Sequence, residues 1–200
     1  MYKKTKIIAE VKTLSPFGFK SEKSWDELFA IANEVGDIIS IHTDSRWEGS
    51  FDLIRKAKTL TDKPILAKGI HATDTEIDKA VSAGADYVLV VGRVPSIHRD
   101  LCLIEPLTLD ELKTIPDNLK VVWNSRNLSN GEIKKETFEE ARVIFRGWLC
   151  QASNIKTTAD IRDGADAVLV GTHLTEFAKS LKISVQEKKI RLKKNSDSVE

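Results

Sequence analysis

Two lysines and two glutamates of this sequence lie at, or just beyond, the ends of short apolar runs. Glu10 and Lys12 end the first run, Lys68 follows the third run, and Glu105 ends the fifth. A carboxylate exchanges protons when its surroundings move its pKa toward the working pH, and an ammonium group holds an anionic substrate. The pattern therefore predicts acid and base chemistry on an anionic substrate, with these four residues as the catalytic candidates.

Lys68 has the most specific context of the four. It follows the run from Pro64 to Ala67, which is apolar enough to be a buried strand, so its ammonium group is expected at the mouth of a cavity. The alternative is a lysine at a strand end whose stem packs while its charge reaches water.

A second set of polar residues follows the last two apolar runs and is suited to phosphate. Backbone amides and hydroxyls near a helix start bind anions well. The expected phosphate ligands are Ser153, Asn154, Gly171 and Thr172, with Lys12 and Ser15 completing the site. A glycine followed by threonine is also a common helix cap, and that reading stays open.

The elements that must position these residues alternate along the chain. Short β-prone runs are separated by amphipathic stretches, which is typical of parallel strands joined by helices. The predicted strands are Lys6–Glu10, Ile38–His42, Ile65–Ala67, Tyr87–Val91, Leu101–Glu105, Lys120–Trp123, Trp148–Gln151 and Ala167–Val170. The predicted helices are Trp25–Val35, Phe51–Thr59, Thr73–Ser82, Leu109–Lys113, Gly131–Val143, Thr157–Arg162 and Leu174–Leu181.

Eight strands in 200 residues predict one α/β domain, a (β/α)8 TIM barrel over residues 1–183, followed by a polar extension or tail over 184–200. Only Gly92–Asp100 separates the fourth and fifth strands, so the helices there are expected to be shortened. The segment Gly84–Gly92 resembles Gly164–Gly171, which indicates half-barrel symmetry. Active sites of such barrels lie at the carboxyl ends of the strands, where the candidates stand.

Composition restricts the class of protein further. The 31 basic and 30 acidic residues nearly balance, so no global charge favours nucleic acid or a membrane surface. No stretch approaches the ~20 apolar residues of a membrane span, and we expect a cytoplasmic protein. Cys102 and Cys150 lie in apolar runs and predict buried thiols. The four histidines show no ligand spacing, so no metal is expected.

The motifs of this chain resemble those of the indole-3-glycerol-phosphate synthase family. The run Ile7–Pro16 is similar to that family's Ile-Ile-Ala-Glu-x-Lys-x-x-Ser-Pro signature, and further similarities follow in register. They are Thr43-Asp44, Trp47–Ser50, Pro64–Lys68, Glu105, Asn124–Leu128, Ser153 and Gly171-Thr172. The resemblance implies decarboxylating ring closure of carboxyphenylamino-deoxyribulose phosphate to indole-glycerol phosphate, in tryptophan biosynthesis, without a metal or organic cofactor.

The resemblance also implies a role for each matching residue. Lys68 would protonate the substrate carbonyl oxygen, Glu105 would transfer protons during dehydration, and Glu10 and Lys12 would hold the amine and an anionic group. Asn124 and Arg126 would position the anthranilate part and the sugar chain. The other expected substrate contacts are Leu128, Trp47 and Ile70; for Trp47, which we place over a substrate ring, loop packing is the alternative.

Three positions depart from the family pattern. Ile70 stands where the family carries an aromatic residue, Ala152 where it carries a glutamate, and Asn154 where it carries a phosphate-loop glycine. We also expect the family's N-terminal covering segment to be missing. Two alternatives therefore stay open: an isomerase related to phosphoribosylanthranilate isomerase, and a non-catalytic or substrate-shifted phosphate-binding barrel. A homodimer, or association with another tryptophan-pathway subunit, is left open as well.

Overall fold

Eight parallel strands close into a barrel in the order β1 to β8, with β1 hydrogen-bonded to β8. This computed structural model describes residues 4–196. The strands are β1 Lys6–Val11, β2 Ile38–His42, β3 Ile65–Lys68, β4 Tyr87–Val91, β5 Cys102–Glu105, β6 Lys120–Asn124, β7 Trp148–Ala152 and β8 Ala167–Val170. The helices are α1 Trp25–Val35, α2 Phe51–Leu60, α3 Asp74–Ser82, α4 Leu109–Lys113, α5 Phe138–Ile144 and α6 Leu174–Ser196. The predicted single (β/α)8 barrel is confirmed.

Alternate residues of the strands form two apolar layers, because successive side chains of a strand point to opposite faces. The inner layer fills the barrel and includes Ile8, Leu66, Leu103 and Leu169. The outer layer lies between the strands and the helices and is the larger of the two. Both faces of each strand are thus buried, which is why the strands read as continuous apolar runs.

The resemblance between Gly84–Gly92 and Gly164–Gly171 corresponds to equivalent turns before β4 and β8. Asp86 accepts a hydrogen bond from the backbone N–H of Ile65 at 2.8 Å and pairs with a lysine of α2. Asp166 accepts one from the N–H of Leu149 at 3.0 Å and pairs with an arginine of α5. In each case the aspartate ties its turn to the start of the preceding strand.

Three predicted helices differ from the structure. The helix expected at Gly131–Val143 begins only at Phe138, where Thr137 and Glu140 form a capping box. The helix expected at Thr157–Arg162 is a single 3-10 turn over Thr158–Asp160, because the Asp160 carboxylate accepts the backbone N–H groups of Lys156 and Thr157. The last helix runs past Leu181 to Ser196.

The connection between β4 and β5 contains no helix, and α4 has only five residues, so the expected shortening is confirmed. Cys102 and Cys150 are both buried and free, also as predicted. Within residues 4–196, none of the helices has the length and apolar character required to cross a membrane.

Candidate active site

A cavity of about 870 Å³, including its open mouth, lies at the carboxyl ends of the strands. Its lining contains every residue that the sequence placed in the site except Ser15. The residues brought together are Glu10, Lys12, Trp47, Lys68, Ile70, Glu105, Asn124, Arg126, Leu128, Ser153, Asn154, Gly171 and Thr172. Strands far apart in sequence thus contribute polar groups to one volume.

Glu10 is the charged centre of this cavity. It is 2% exposed, and its two carboxylate oxygens bind different partners. Oε2 accepts a hydrogen bond from the ammonium group of Lys68 at 3.0 Å, and Oε1 lies 2.5 Å from Nε2 of His42. Burial alone raises the pKa of Glu10, but Lys68, Lys12 and the hydrogen bond of His42 together hold that pKa well below its usual value. Glu10 is therefore an ionised anchor for two neighbours.

Glu105 is equally buried but has the opposite tendency. Its Oε1 accepts a hydrogen bond from Nδ2 of Asn124 at 2.8 Å. Burial raises the pKa of Glu105, and the opposing attraction of Lys68 and the hydrogen bond of Asn124 do not cancel this effect. A raised pKa makes a carboxyl group a better proton acceptor, which is a property that proton transfer requires.

Asn124 is fixed by three hydrogen bonds at the end of β6. Its Oδ1 accepts from the hydroxyl of Ser153 at 2.6 Å and from the backbone N–H of Arg126 at 3.0 Å, while its Nδ2 donates to Glu105. With both ends of the amide engaged, the orientation of Asn124 is determined by the protein. Its neighbour Ser153 is held in the same network.

Lys12 and the residues after β8 are the groups suited to an anion. Nζ of Lys12 lies 3.3 Å from Oγ1 of Thr172, which follows β8. Burial lowers the pKa of Lys12, against the attraction of Glu10. Gly171 lies directly against Glu10, since a Cβ atom at this position would be 2.1 Å from Oε2 of that carboxylate. Only glycine fits there without displacing Glu10.

The loop after β7 has a left-handed backbone, with φ of 72° at Ser153 and 57° at Asn154. Oδ1 of Asn154 accepts a hydrogen bond from the Arg126 guanidinium group at 3.2 Å, and that group also donates to the carbonyl of Gly131 at 2.5 Å. The Asn154 side chain thus uses part of the hydrogen-bonding capacity of the one arginine in the cavity lining.

The comparisons with known proteins agree with this geometry. A sequence model of the family described as indole-3-glycerol phosphate synthase matches residues 1–187. This chain belongs to the indole-3-glycerol phosphate synthase family. Relatives with that name are 30% identical in Sulfurisphaera tokodaii, covering 90% of this chain and 82% of the relative, and 30% identical in Pyrococcus abyssi, covering 94% and 93%. One in Rhodococcus opacus is 32% identical over 84% and 71%.

Solved structures of other proteins share the fold. A 3-hexulose-6-phosphate synthase aligns with a TM-score of 0.60 at 18% identity, over 88% of this chain and 99% of that one. A mutant tryptophan synthase alpha-subunit from Pyrococcus furiosus aligns with a TM-score of 0.58 at 16% identity, over 86% and 89%. At these identities the likeness shows the barrel and nothing finer.

Within this member of the indole-3-glycerol phosphate synthase family, Ser15 lies outside the cavity lining. It is buried, and its hydroxyl accepts a hydrogen bond from the backbone N–H of Phe17 at 3.2 Å. Its role in the structure is therefore to shape the loop after β1. That loop carries Phe17 into the cavity wall, where its ring lies 6.4 Å from that of Trp47 and its side chain packs against Gly131.

Sequence reasoning did not place Phe17 or His42 in the site. For His42 it favoured a hydrogen-bonded structural histidine, with a place in the pocket wall as the alternative; the side chain makes a hydrogen bond to Glu10 and also lines the cavity. The position of His42 at the carboxyl end of β2, next to Thr43 and Asp44, was the available signal. In the part of the chain that the structure describes, no three potential metal-ligand side chains lie together.

Proposed function

We propose that this protein is an indole-3-glycerol-phosphate synthase, which closes the pyrrole ring of carboxyphenylamino-deoxyribulose phosphate with loss of carbon dioxide and water. The observation that carries the proposal is the pairing of two unlike groups in one cavity. The Lys68 ammonium is paired with an ionised carboxylate, and the nearby Glu105 carboxyl has a raised pKa. This combination supplies a proton donor and a separate group for proton transfer.

In the first step, Lys68 donates a proton to the carbonyl oxygen of the substrate as the aromatic ring carbon attacks the carbonyl carbon. The ring carbon that forms the new bond then loses its carboxylate as carbon dioxide, and the bonding electrons restore the ring. Glu105 moves the protons needed when the hydroxyl group leaves as water. Glu10 holds Lys68 in place throughout, because Lys68, Lys12 and the hydrogen bond of His42 keep its carboxylate ionised against the effect of burial.

The substrate phosphate binds near Lys12, Thr172 and the amides around Gly171 and Asn154. Arg126 contacts the sugar chain from the end of β6. The aromatic ring of the substrate lies among Trp47, Leu128 and Ile70, which belong to the apolar part of the lining.

The test is formation of indole-glycerol phosphate, followed by fluorescence, in the native protein and in Lys68→Ala. Positioned general acids contribute about 10²- to 10⁴-fold, so the variant is expected to lose at least two orders of magnitude in kcat. Lys113→Ala is the matched control, since Lys113 is exposed and pairs with Asp110 of the same helix. Equal rates for native protein and Lys68→Ala would contradict the proposal.

A non-catalytic phosphate-binding barrel is the second candidate, and the observation that favours it is Ala152. This residue is 4% exposed in the cavity and brings no carboxylate where the family pattern has one. Binding of the reaction product without any turnover of the substrate would support this second function and exclude the first.

A further inference from the structure

His42 contacts the carboxylate oxygen of Glu10 that Lys68 does not bind. The imidazole is 5% exposed, and its Nε2 lies 2.5 Å from Oε1 of Glu10. Its other nitrogen, Nδ1, is buried without a hydrogen-bond partner among the described residues. His42 and Lys68 therefore share one carboxylate through its two different oxygens.

These contacts determine which form of the imidazole the site accommodates. An ionised carboxylate only accepts hydrogen bonds, so Nε2 must carry the proton. A protonated imidazole would leave a buried N–H of Nδ1 without an acceptor and would add a third cation near Lys12 and Lys68. Burial lowers the pKa of His42, although the hydrogen bond and charge of Glu10 oppose this. The neutral Nε2–H tautomer satisfies the site best.

The loop after β2 holds His42 in this orientation. The indole of Trp47 stacks on the imidazole with ring centroids 5.6 Å apart and planes 4° from parallel. The backbone N–H of Ser50 donates to the carbonyl of His42 at 3.1 Å. A Cβ atom at Gly49 would lie 2.5 Å from that carbonyl group, so the close return of the loop depends on glycine.

We propose that His42 is a positioning residue, which as a neutral Nε2–H imidazole fixes Glu10 so that the second carboxylate oxygen holds the Lys68 ammonium at its point of action. The expected effect on kcat rests on the proposed function. The tautomer of His42 and its contact with Glu10 do not, because they exist whatever the substrate. The charged groups around His42 are Glu10 and Lys12 at the end of β1, Lys68 at the end of β3, and Asp44 in its own loop.

The first arm of the test needs no substrate. Two-bond 1H–15N spectra of protein with 15N-labelled histidine distinguish the two tautomers and the imidazolium form, and His42→Gln identifies the signals of His42. We expect a neutral Nε2–H tautomer at pH 7 whose signals change in Glu10→Gln. The proposal would be overturned by an Nδ1–H tautomer, by an imidazolium form, or by His42 signals that do not change in Glu10→Gln.

The second arm measures whether Lys68 depends on His42. Glutamine can place an N–H near the position of Nε2, whereas leucine fills similar space without a donor. We expect the 13Cε signal of Lys68 to keep its position in His42→Gln and to move in His42→Leu. An unchanged 13Cε signal of Lys68 in His42→Leu would refute the positioning of Lys68 by His42. This outcome would hold even if the protein turned over no substrate.

The third arm is kinetic. A hydrogen bond to a charged group contributes about 1.5–3 kcal/mol, so we expect kcat of His42→Leu to fall by about 10- to 100-fold with KM changed less than about threefold. His42→Gln should recover most of that loss. His98→Gln and His98→Leu are the matched controls, since His98 pairs with Asp78 outside the cavity. Turnover in native protein with equal kcat in His42→Leu would contradict the proposal.

Discussion

Glu10 and Glu105 face one cavity, each is 2% exposed, and their pKa values are moved in opposite directions. Burial favours the neutral form of both carboxyl groups. Lys68, Lys12 and His42 overcome burial at Glu10, whereas Lys68 and Asn124 do not overcome it at Glu105. Two residues of one type therefore have different electrostatic surroundings because of their neighbours, and we expect this difference to separate the anchor from the proton carrier of the proposed reaction.

Replacing Glu105 by glutamine should abolish proton transfer while preserving the shape of the site. We expect kcat of Glu105→Gln to fall by about 10²- to 10⁴-fold, which is the usual contribution of general acid and base groups, with a small change in KM. Steady-state kinetics with the fluorescent product measure both constants. Glu34→Gln, at a surface ion pair with Lys182, is the control. A kcat within threefold of the native value would remove Glu105 from the mechanism.

The two carboxyl groups should also affect stability with opposite signs. At a pH above the raised pKa of Glu105 in the folded protein, this group is ionised in both the folded and the unfolded protein, so burial of its charge destabilises the fold in full. This destabilisation disappears as the pH falls below the pKa of the group in the unfolded protein. Glu105→Gln should therefore have a higher Tm than native protein at pH 8, with a difference that vanishes toward pH 4. Thermal unfolding followed by circular dichroism measures this difference.

Glu10→Gln is the opposite case and serves as the comparison. The folded-state pKa of Glu10 is lowered, so its contribution to stability is present above the unfolded pKa and is lost as the pH falls through the folded pKa. This variant should have a lower Tm than native protein at pH 8. Two variants that shift Tm in the same direction at pH 8 would contradict the assignment of the two groups.

Gly171→Ala should displace Glu10, because the new methyl group would overlap Oε2 of the carboxylate. We expect a loss of about 10-fold or more in kcat and a destabilisation of about 1–3 kcal/mol, as is usual for overpacking. A double-mutant cycle with Glu10→Ala isolates the contact, since adding Gly171→Ala to that background should cost much less. Additive effects in the cycle would show that the two residues do not interact.

Asn154→Gly should improve phosphate binding. Glycine adopts the left-handed backbone at this position without strain, and removal of the side chain lets a phosphate approach the backbone amides of the loop after β7 more closely. We expect KM to fall by about three- to tenfold, equal to about 0.7–1.4 kcal/mol, with kcat little changed. Inhibition by inorganic phosphate should strengthen in parallel. Weaker binding in this variant would mean that Asn154 itself contacts the phosphate.

The barrel could be predicted from the sequence because each strand is buried on both faces and reads as an apolar run. The helix wrongly expected from Gly131 fails for a reason that local periodicity does not contain. The carbonyl of Gly131 accepts a hydrogen bond from Arg126, and its α-carbon packs against Phe17, which belongs to a loop more than a hundred residues earlier. The true helix start at Thr137 has a capping box that the sequence does contain.

Most of the cavity could likewise be predicted, because strand ends meet at one face of a barrel. The pairing of His42 with Glu10 could not, since it depends on how β1 and β2 align side by side. Ser15 shows the reverse limitation. Its motif places it next to the site, but its hydroxyl is used by the backbone of its own loop. Sequence motifs locate a residue along the chain and leave its hydrogen-bond partner undetermined.

Closure of the barrel by β1 and β8 also constrains the order of folding. Ile8 is paired with Leu169, so the first strand has one unsatisfied edge until nearly the whole domain has left the ribosome. Such an edge can pair with other chains, and contacts between residues so distant in sequence form slowly. Nascent chains that stop before Ala167 should therefore aggregate or engage chaperones, whereas chains that include β8 can bury both edges at once.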